Sequence, residues 1–242
     1  MPQSPQNRLL AALPRAGQRA FVADCDHIVL TLDAILAQTG ETIRHVHFPT
    51  SGFISLIVSL DNGAQLEVEI IGNEGMLGSS IGLGMNTSGQ KAIVQGQGTA
   101  LRMGVAAFRR HCRQNPQLRG KVERYIQASK NQLAQMSACT RYHHVEERLA
   151  RRLLMGRDRA GTNQLHLTHE FLASMLGVRR VGITQAARTL QARGLIRYTR
   201  GAITIVDGAG LRTRSCECYQ VANRMYQQAM KSPRRSDNRA TG

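Results

Sequence analysis

Arg180, Thr184 and Arg188 stand four residues apart, with Gln185 among them and Arg179 just before. On a helix that spacing places the three on one face. Arg matches O6 and N7 of guanine, Gln matches N6 and N7 of adenine, and a flanking Arg holds phosphate. The chemistry these residues offer is hydrogen-bonded reading of a DNA major groove. A helix starting at Arg179 would also turn its positive dipole end toward the phosphate backbone. Val181 on the same helix is open to two readings, contact with a thymine methyl or burial.

Such a face needs a rigid mount, and Leu167–Val206 predicts one. Thr168 suits an N-cap. Leu172 and Leu176 face inward one turn apart, and Ala173 between them lets a second helix cross closely. Gly177 suits the left-handed residue that ends a helix. Val178 plugs the angle, and Ile183, Ala186 and Leu190 form the buried face of the second helix. These are the requirements of two helices joined at a steep angle by a tight turn. The outward face is basic, which argues against an ordinary helical hairpin inside a core. Gly194 then ends the helix, and Leu195–Tyr198, a turn at Thr199–Gly201 and Ala202–Val206 predict a wing. Thr168, His169, Arg197 and Arg200 complete the expected DNA contacts.

The charge supports this placement. The chain has 242 residues and a formal net charge of +16. Residues 145–242 hold 18 basic and 7 acidic residues, and 17 of the 18 are Arg. Residues 1–144 hold 14 and 9. Trp is absent and aromatics are 4%, which disfavours binding of single strands by stacking. No apolar run is long enough to span a membrane, and the N-terminus lacks the apolar core of a secretory signal. Five scattered cysteines fit a reducing cytoplasm rather than a disulfide framework.

Upstream, short strands broken by turns are predicted at His45–Phe48, Phe53–Ser59, Gln65–Ile71, Ala92–Gln95 and Thr99–Met103. The Asn62-Gly63 pair between two apolar runs signals a hairpin. A short helix at 105–112 ends near Asn115-Pro116. A long helix then covers Leu118–His143, and helix continues over Val145–Met155 before a loop at Gly156–Gln164. Val122, Ile126, Ser129, Leu133, Met136 and Thr140 step by threes and fours along the long helix and form the expected dimer seam, with an ordinary packing helix as the alternative. The expected division is a sensory domain at 1–115, a dimerisation helix at 116–144, a DNA-binding domain at 145–212 and an extension with a disordered basic tail at 213–242.

The stretch LTHEFLASMLGVRRVGITQAARTLQARGLI, followed by the wing, resembles the Crp/Fnr family of transcription regulators. The roll segment GFISLIVSLDNGAQLEVEIIGNEGMLG is similar to that family's sensory domain, and HVHFPTSGFIS and SCECY are similar to a branch with undefined effectors. The resemblance implies an α+β fold: an N-terminal antiparallel β-roll of jelly-roll type, a long dimerisation helix and a C-terminal winged helix-turn-helix. It also implies a cytoplasmic, bacterial homodimer on a near-palindromic duplex, working with RNA polymerase, and no enzyme. Two departures stand out. Val181 and Gln185 replace the Glu and second Arg of the family's best-known recognition helix, so a different operator is expected. Ser79 and Gln90 stand where the family's cyclic-nucleotide binders carry Glu and Arg. Lys91 replaces the charge of that Arg but not its two-pronged geometry. A cyclic nucleotide is therefore not expected, and Gly78, Ser79, Gln90 and Lys91 are the candidate contacts for another small effector. The alternative reading is a small-molecule-binding signalling module whose basic domain docks a protein.

Other constellations are weak. Gly84–Ala92 resembles a phosphate loop but lacks the hydroxyl residue that binds magnesium. Cys25 stands alone where an iron–sulfur sensor needs a cluster. Cys216-x-Cys218 lacks a second ligand pair in sequence and reads as structural, so no metal is expected. His45 and His47 share a strand face without a third ligand, and His143-His144 fall at the helix-to-domain junction.

Overall fold

The computed structural model describes residues 7–199 and 201–231. The described residues begin with two short helices, α1 (Arg8–Ala11) and α2 (Arg15–Ala23). Strands β1 (Asp26–Leu30), β2 (Ile35–Ala37), β3 (His45–Ser59), β4 (Gln65–Ile71) and β5 (Lys91–Gly104) then form one antiparallel sheet. Its order is β1-β5-β3-β4, with β2 also on β5. β3 and β4 are joined through the expected Asn62-Gly63 turn, where Gly63 takes a φ of 80°.

Two expected breaks are bends within continuous strands. β3 and β5 pair from His45 opposite Gly104 to Ile57 opposite Lys91, with register shifts between Pro49 and Ile54. Gly52 has a φ of 70°, and a Cβ there would collide with the backbone of Gly96 and Gln97. Gly52, Gly96 and Gly98 let two backbones cross too closely for side chains, so the strands kink without ending.

Helix α3 (Val105–Gln114) leads to α4 (Pro116–Tyr142). Asn115 caps α4 by accepting from the amides of Gln117 and Leu118, and Pro116 fills the first position, where no amide is needed. Helix α5 (Val145–Ala160) runs past the expected stop at Met155. Gly156 is carried inside it because Leu165 packs against that spot. The winged domain follows as β6 (Gln164–His166), α6 (His169–Leu176), α7 (Arg180–Ala192), β7 (Ile196–Thr199) and β8 (Ala202–Ile205). β6 was not expected and makes the wing three-stranded, in the order β6-β8-β7.

The extension from residue 213 is largely helical as far as Met230. Helix α8 (Gly208–Arg214) is capped by Asp207, and α9 (Cys218–Met230) lies along α4 with Cys218, Tyr219, Ala222 and Tyr226 buried. The basic tail beyond Lys231 lies outside the described residues.

The winged domain shares its core with the roll. Leu149, Leu153, Leu172, Ile183 and Leu190 belong to one buried cluster with Phe53, Ile57 and Ile70. A second cluster packs Phe21, Phe48 and Phe108 with Leu118 and Val122 of α4. Across the first junction, Arg152 of α5 sits over the Phe53 ring and donates to Glu67 of β4 at 2.9 Å. The two side chains are 3% and 4% exposed.

His47 of β3 is buried, and its Nδ1 has no partner among the described residues. Burial, helped by His45 and Arg102, pushes its pKa down from 6.5 to about 4. The folded protein therefore resists protonating His47, while the unfolded chain does not. The stabilisation this gives is complete above pH 6.5 and is lost as pH falls from 6.5 to about 4. Its size is about 3 kcal/mol. Urea unfolding of His47→Gln should show a flatter dependence of stability on pH across that window. An unchanged slope would assign the effect to another group.

Candidate nucleic-acid interface

Every residue expected to mount the recognition helix is placed accordingly. Leu172, Ala173, Leu176, Ile183, Ala186 and Leu190 are buried, and Val178 is half-buried. Thr168 caps α6 by accepting from the amide of Phe171 at 3.1 Å. Gly177 ends α6 in the left-handed region, φ 62° and ψ 43°, and the amide of Val178 returns to the Ala173 carbonyl. That geometry turns the chain within three residues and launches α7 across α6.

On α7, Arg180, Gln185 and Arg188 are exposed, as is Arg179 at its N-cap. Arg179 makes no capping bond with its side chain, so the first turn of α7 keeps amides free for an anion. Val181 is 70% exposed, which decides between its two readings in favour of the outward face. Glu170 of α6, which no sequence signal singled out, lies 3.8 Å from the Arg180 guanidinium.

Two expected contacts also make bonds within the domain. The Thr184 hydroxyl lies 3.1 Å from the Arg180 carbonyl and 3.1 Å from Nδ1 of His169. His169 in turn stacks on Tyr198 of the wing, with centroids 4.1 Å apart. Burial first, then the charges of Arg180 and Arg188, hold the His169 pKa below its ordinary value. This Thr184–His169–Tyr198 chain ties α7, α6 and wing together. On the wing Arg197 is exposed, and Arg200 lies outside the described residues. Gln191 was not anticipated. Its Oε1 accepts from the amide of Tyr198 at 2.8 Å and fixes the wing to α7.

The expected seam on α4 is partly used by the chain itself. Val122 is 1% exposed and packs inside its own roll, which leaves it no surface for a partner. The Ser129 hydroxyl donates to Glu69 at 2.6 Å, and the Met136 sulfur accepts from Arg151 at 2.8 Å. Ile126 and Thr140 are half-buried, and Leu133 is exposed.

Between α4 and the roll lies a cavity of about 750 Å³. Gly78, Ser79 and Gln90 are on its wall, as are Tyr125, Ser129 and Lys130. Lys91 is not; it is paired into β5 opposite Ile57. Burial raises the pKa of Glu69 on the wall, against the hydrogen bonds from Ser129 and Tyr125.

The architecture is thus a β-roll joined through a long helix to a winged helix-turn-helix. Residues 147–214 match the family model of the Crp-like helix-turn-helix domain. FixK2 from Bradyrhizobium japonicum superposes with a TM-score of 0.67 at 13% identity, over 79% of this chain and 98% of that one. CLP from Xanthomonas campestris, described as a c-di-GMP responsive global regulator, gives 0.64 at 14%, over 79% and 99%. A CRP-family transcriptional regulator from Thermus thermophilus gives 0.65 at 15%, over 78% and 96%. No curated protein matches the chain in sequence. Residues 147–214 are thus a Crp-like helix-turn-helix domain, and the chain as a whole has the Crp/Fnr fold. Among the described residues no helix is long and apolar enough to cross a membrane.

Proposed function

We propose that the protein is a homodimeric transcription regulator that reads a near-palindromic duplex DNA site through α7. The exposed face of Arg180, Val181, Gln185 and Arg188, above a fully packed helix-turn-helix, carries this reading. Arg180 takes a guanine edge, Gln185 an adenine edge and Val181 a thymine methyl. Arg179, Arg188, Arg197 and the α7 amides hold phosphates. Glu170 beside Arg180 limits the rotamers of the guanidinium and disfavours misplaced phosphate contact there.

The roll cavity takes a small effector other than a cyclic nucleotide. Its volume falls within the ordinary range for ligand sites. Ser129, Lys130 and Leu133 on its wall belong to α4, so occupancy acts directly on the dimer helix. The regulator works with RNA polymerase in the bacterial cytoplasm.

Selection of bound sequences from a random duplex pool, with and without small-molecule cell extract, tests the reading. A two-fold symmetric consensus is expected. Arg180→Ala should abolish preference at one base pair in each half-site and cost about 1–3 kcal/mol on the consensus. Equal weakening on every sequence would make Arg180 a phosphate contact instead. No enriched sequence at all would overturn DNA reading.

A further inference from the structure

Cys216 and Cys218 do have a second ligand pair, 77 residues earlier in the chain. Cys139 lies in the last turn of α4 and His143 is its C-cap residue, so the two point to one side of the helix end. Cys216 precedes α9 and Cys218 begins it. The packing of α9 along α4 brings the pairs together, and the four donor atoms lie within 4.8 Å of one another. The sequence signal was the four-residue step from Cys139 to His143, which only tertiary packing joins to the Cys-x-Cys pair.

Two of the six donor–donor distances match those of a tetrahedral site. Zinc bound by three sulfurs and one nitrogen sets S···S edges of about 3.8 Å and S···N edges of about 3.6 Å, from its ordinary bond lengths. The Sγ atoms of Cys139 and Cys216 are 3.6 Å apart, and Sγ of Cys218 is 3.6 Å from Nδ1 of His143. The other imidazole nitrogen, Nε2, lies 3.1 Å from the Glu217 carboxylate. Metal-bound histidines are oriented by such an outer carboxylate. Gln135 donates to the Cys218 sulfur at 3.1 Å, the bond a thiolate ligand accepts.

A second observation concerns charge. Arg148 and Arg151 are buried beside this cluster. Their guanidinium groups donate to the Leu176 carbonyl and to the sulfurs of Met136 and Met155. Among the described residues neither has a carboxylate within ion-pair reach. Buried cations without counter-charge are costly. Three thiolates around one divalent ion carry a net charge of about −1 and would offset one of the two positive charges.

We propose that Cys139, His143, Cys216 and Cys218 bind one zinc ion that fastens the end of the dimer helix to the start of α9. Each thiol gives its proton to solvent as its sulfur bonds the ion, and no electron is transferred. The ion has no open position, so its role is structural. It sits at the junction where α4 hands over to the DNA-binding domain, and it holds the C-terminal arm against α4.

The test uses the full-length protein purified under reducing conditions. Elemental analysis should give one zinc per chain, retained in Cys25→Ser and Cys112→Ser and lost in Cys216→Ser and Cys218→Ser. In case those two variants fail to fold, the chelator-treated native protein is titrated with Co²⁺. It should develop the visible absorption of a tetrahedral thiolate-bound ion at one equivalent, bleached by Zn²⁺. No bound metal and no such absorption would overturn the proposal. So would a Cys139–Cys216 disulfide found by mass spectrometry in freshly isolated protein. These readouts need no DNA, so the site and the DNA-reading assignment stand or fall separately.

Discussion

Replacing Glu67 with Gln is expected to destabilise the protein by about 3–5 kcal/mol, because it strands the Arg152 charge inside the molecule. Both side chains are nearly sealed from water, and the Ser55 hydroxyl also donates to Glu67, at 2.5 Å. Nη1 of Arg152 already lacks a hydrogen-bond partner among the described residues, so the carboxylate is the chief compensation for this cation. Removing the cation as well should recover most of the loss. Glu67→Leu with Arg152→Met replaces a desolvated ion pair by apolar groups of similar size, a change that is often neutral or stabilising. Urea unfolding of the single and double variants, read as a double-mutant cycle, checks this. A Glu67→Gln loss below about 1 kcal/mol would show that water reaches the pair. The pair joins β4 to α5, so its strength also measures how firmly the reading domain is held on the roll.

If the protein is the dimer proposed above, Leu133→Asp should give monomers in sedimentation and cost on the order of 10²–10⁴ in operator affinity, the gain that two linked half-site contacts provide. Leu133 is 37% exposed on α4, while Val122, Ser129 and Met136 of the expected seam are engaged within the chain. It is therefore the seam residue best placed to meet a partner. A carboxylate opposite its symmetry copy would bring like charges together in an apolar contact. Dimers that persist at micromolar concentration would sink this role for Leu133 and move the interface elsewhere on α4.

The parts of the fold visible in the sequence are those whose causes are local. A capping Thr168, a left-handed Gly177 and apolar residues at fixed steps describe the helix-turn-helix without reference to the rest of the chain. The same local logic placed Arg180, Gln185 and Arg188 on the outer face. It failed where a residue's partner is distant. Periodicity along α4 marks a stripe but not what covers it, so Val122 read as a dimer contact although Gly82 and the roll lie against it. The bond between Thr184 and His169 was not foreseen, because it spans 15 residues and needs two helices already crossed. Helix α9 drew no expectation from the sequence, because the groove along α4 that gives it a reason to fold is built by residues far back in the chain. Pro49–Gly52 read as a strand break because a turn composition and a backbone crossing call for the same residues.

The cluster that unites Phe53, Ile57 and Ile70 with Leu153, Leu172 and Ile183 bears on how this molecule can be taken apart. A cut after residue 144 separates sensing from reading on paper, yet it would run through oil rather than through a linker. Each half would be born with a bare apolar wound, the roll at Phe53 and the reading domain at α5 and α6. Neither half keeps this core covered without the other. Neither is a module that could be shuffled onto another partner without first growing a new skin.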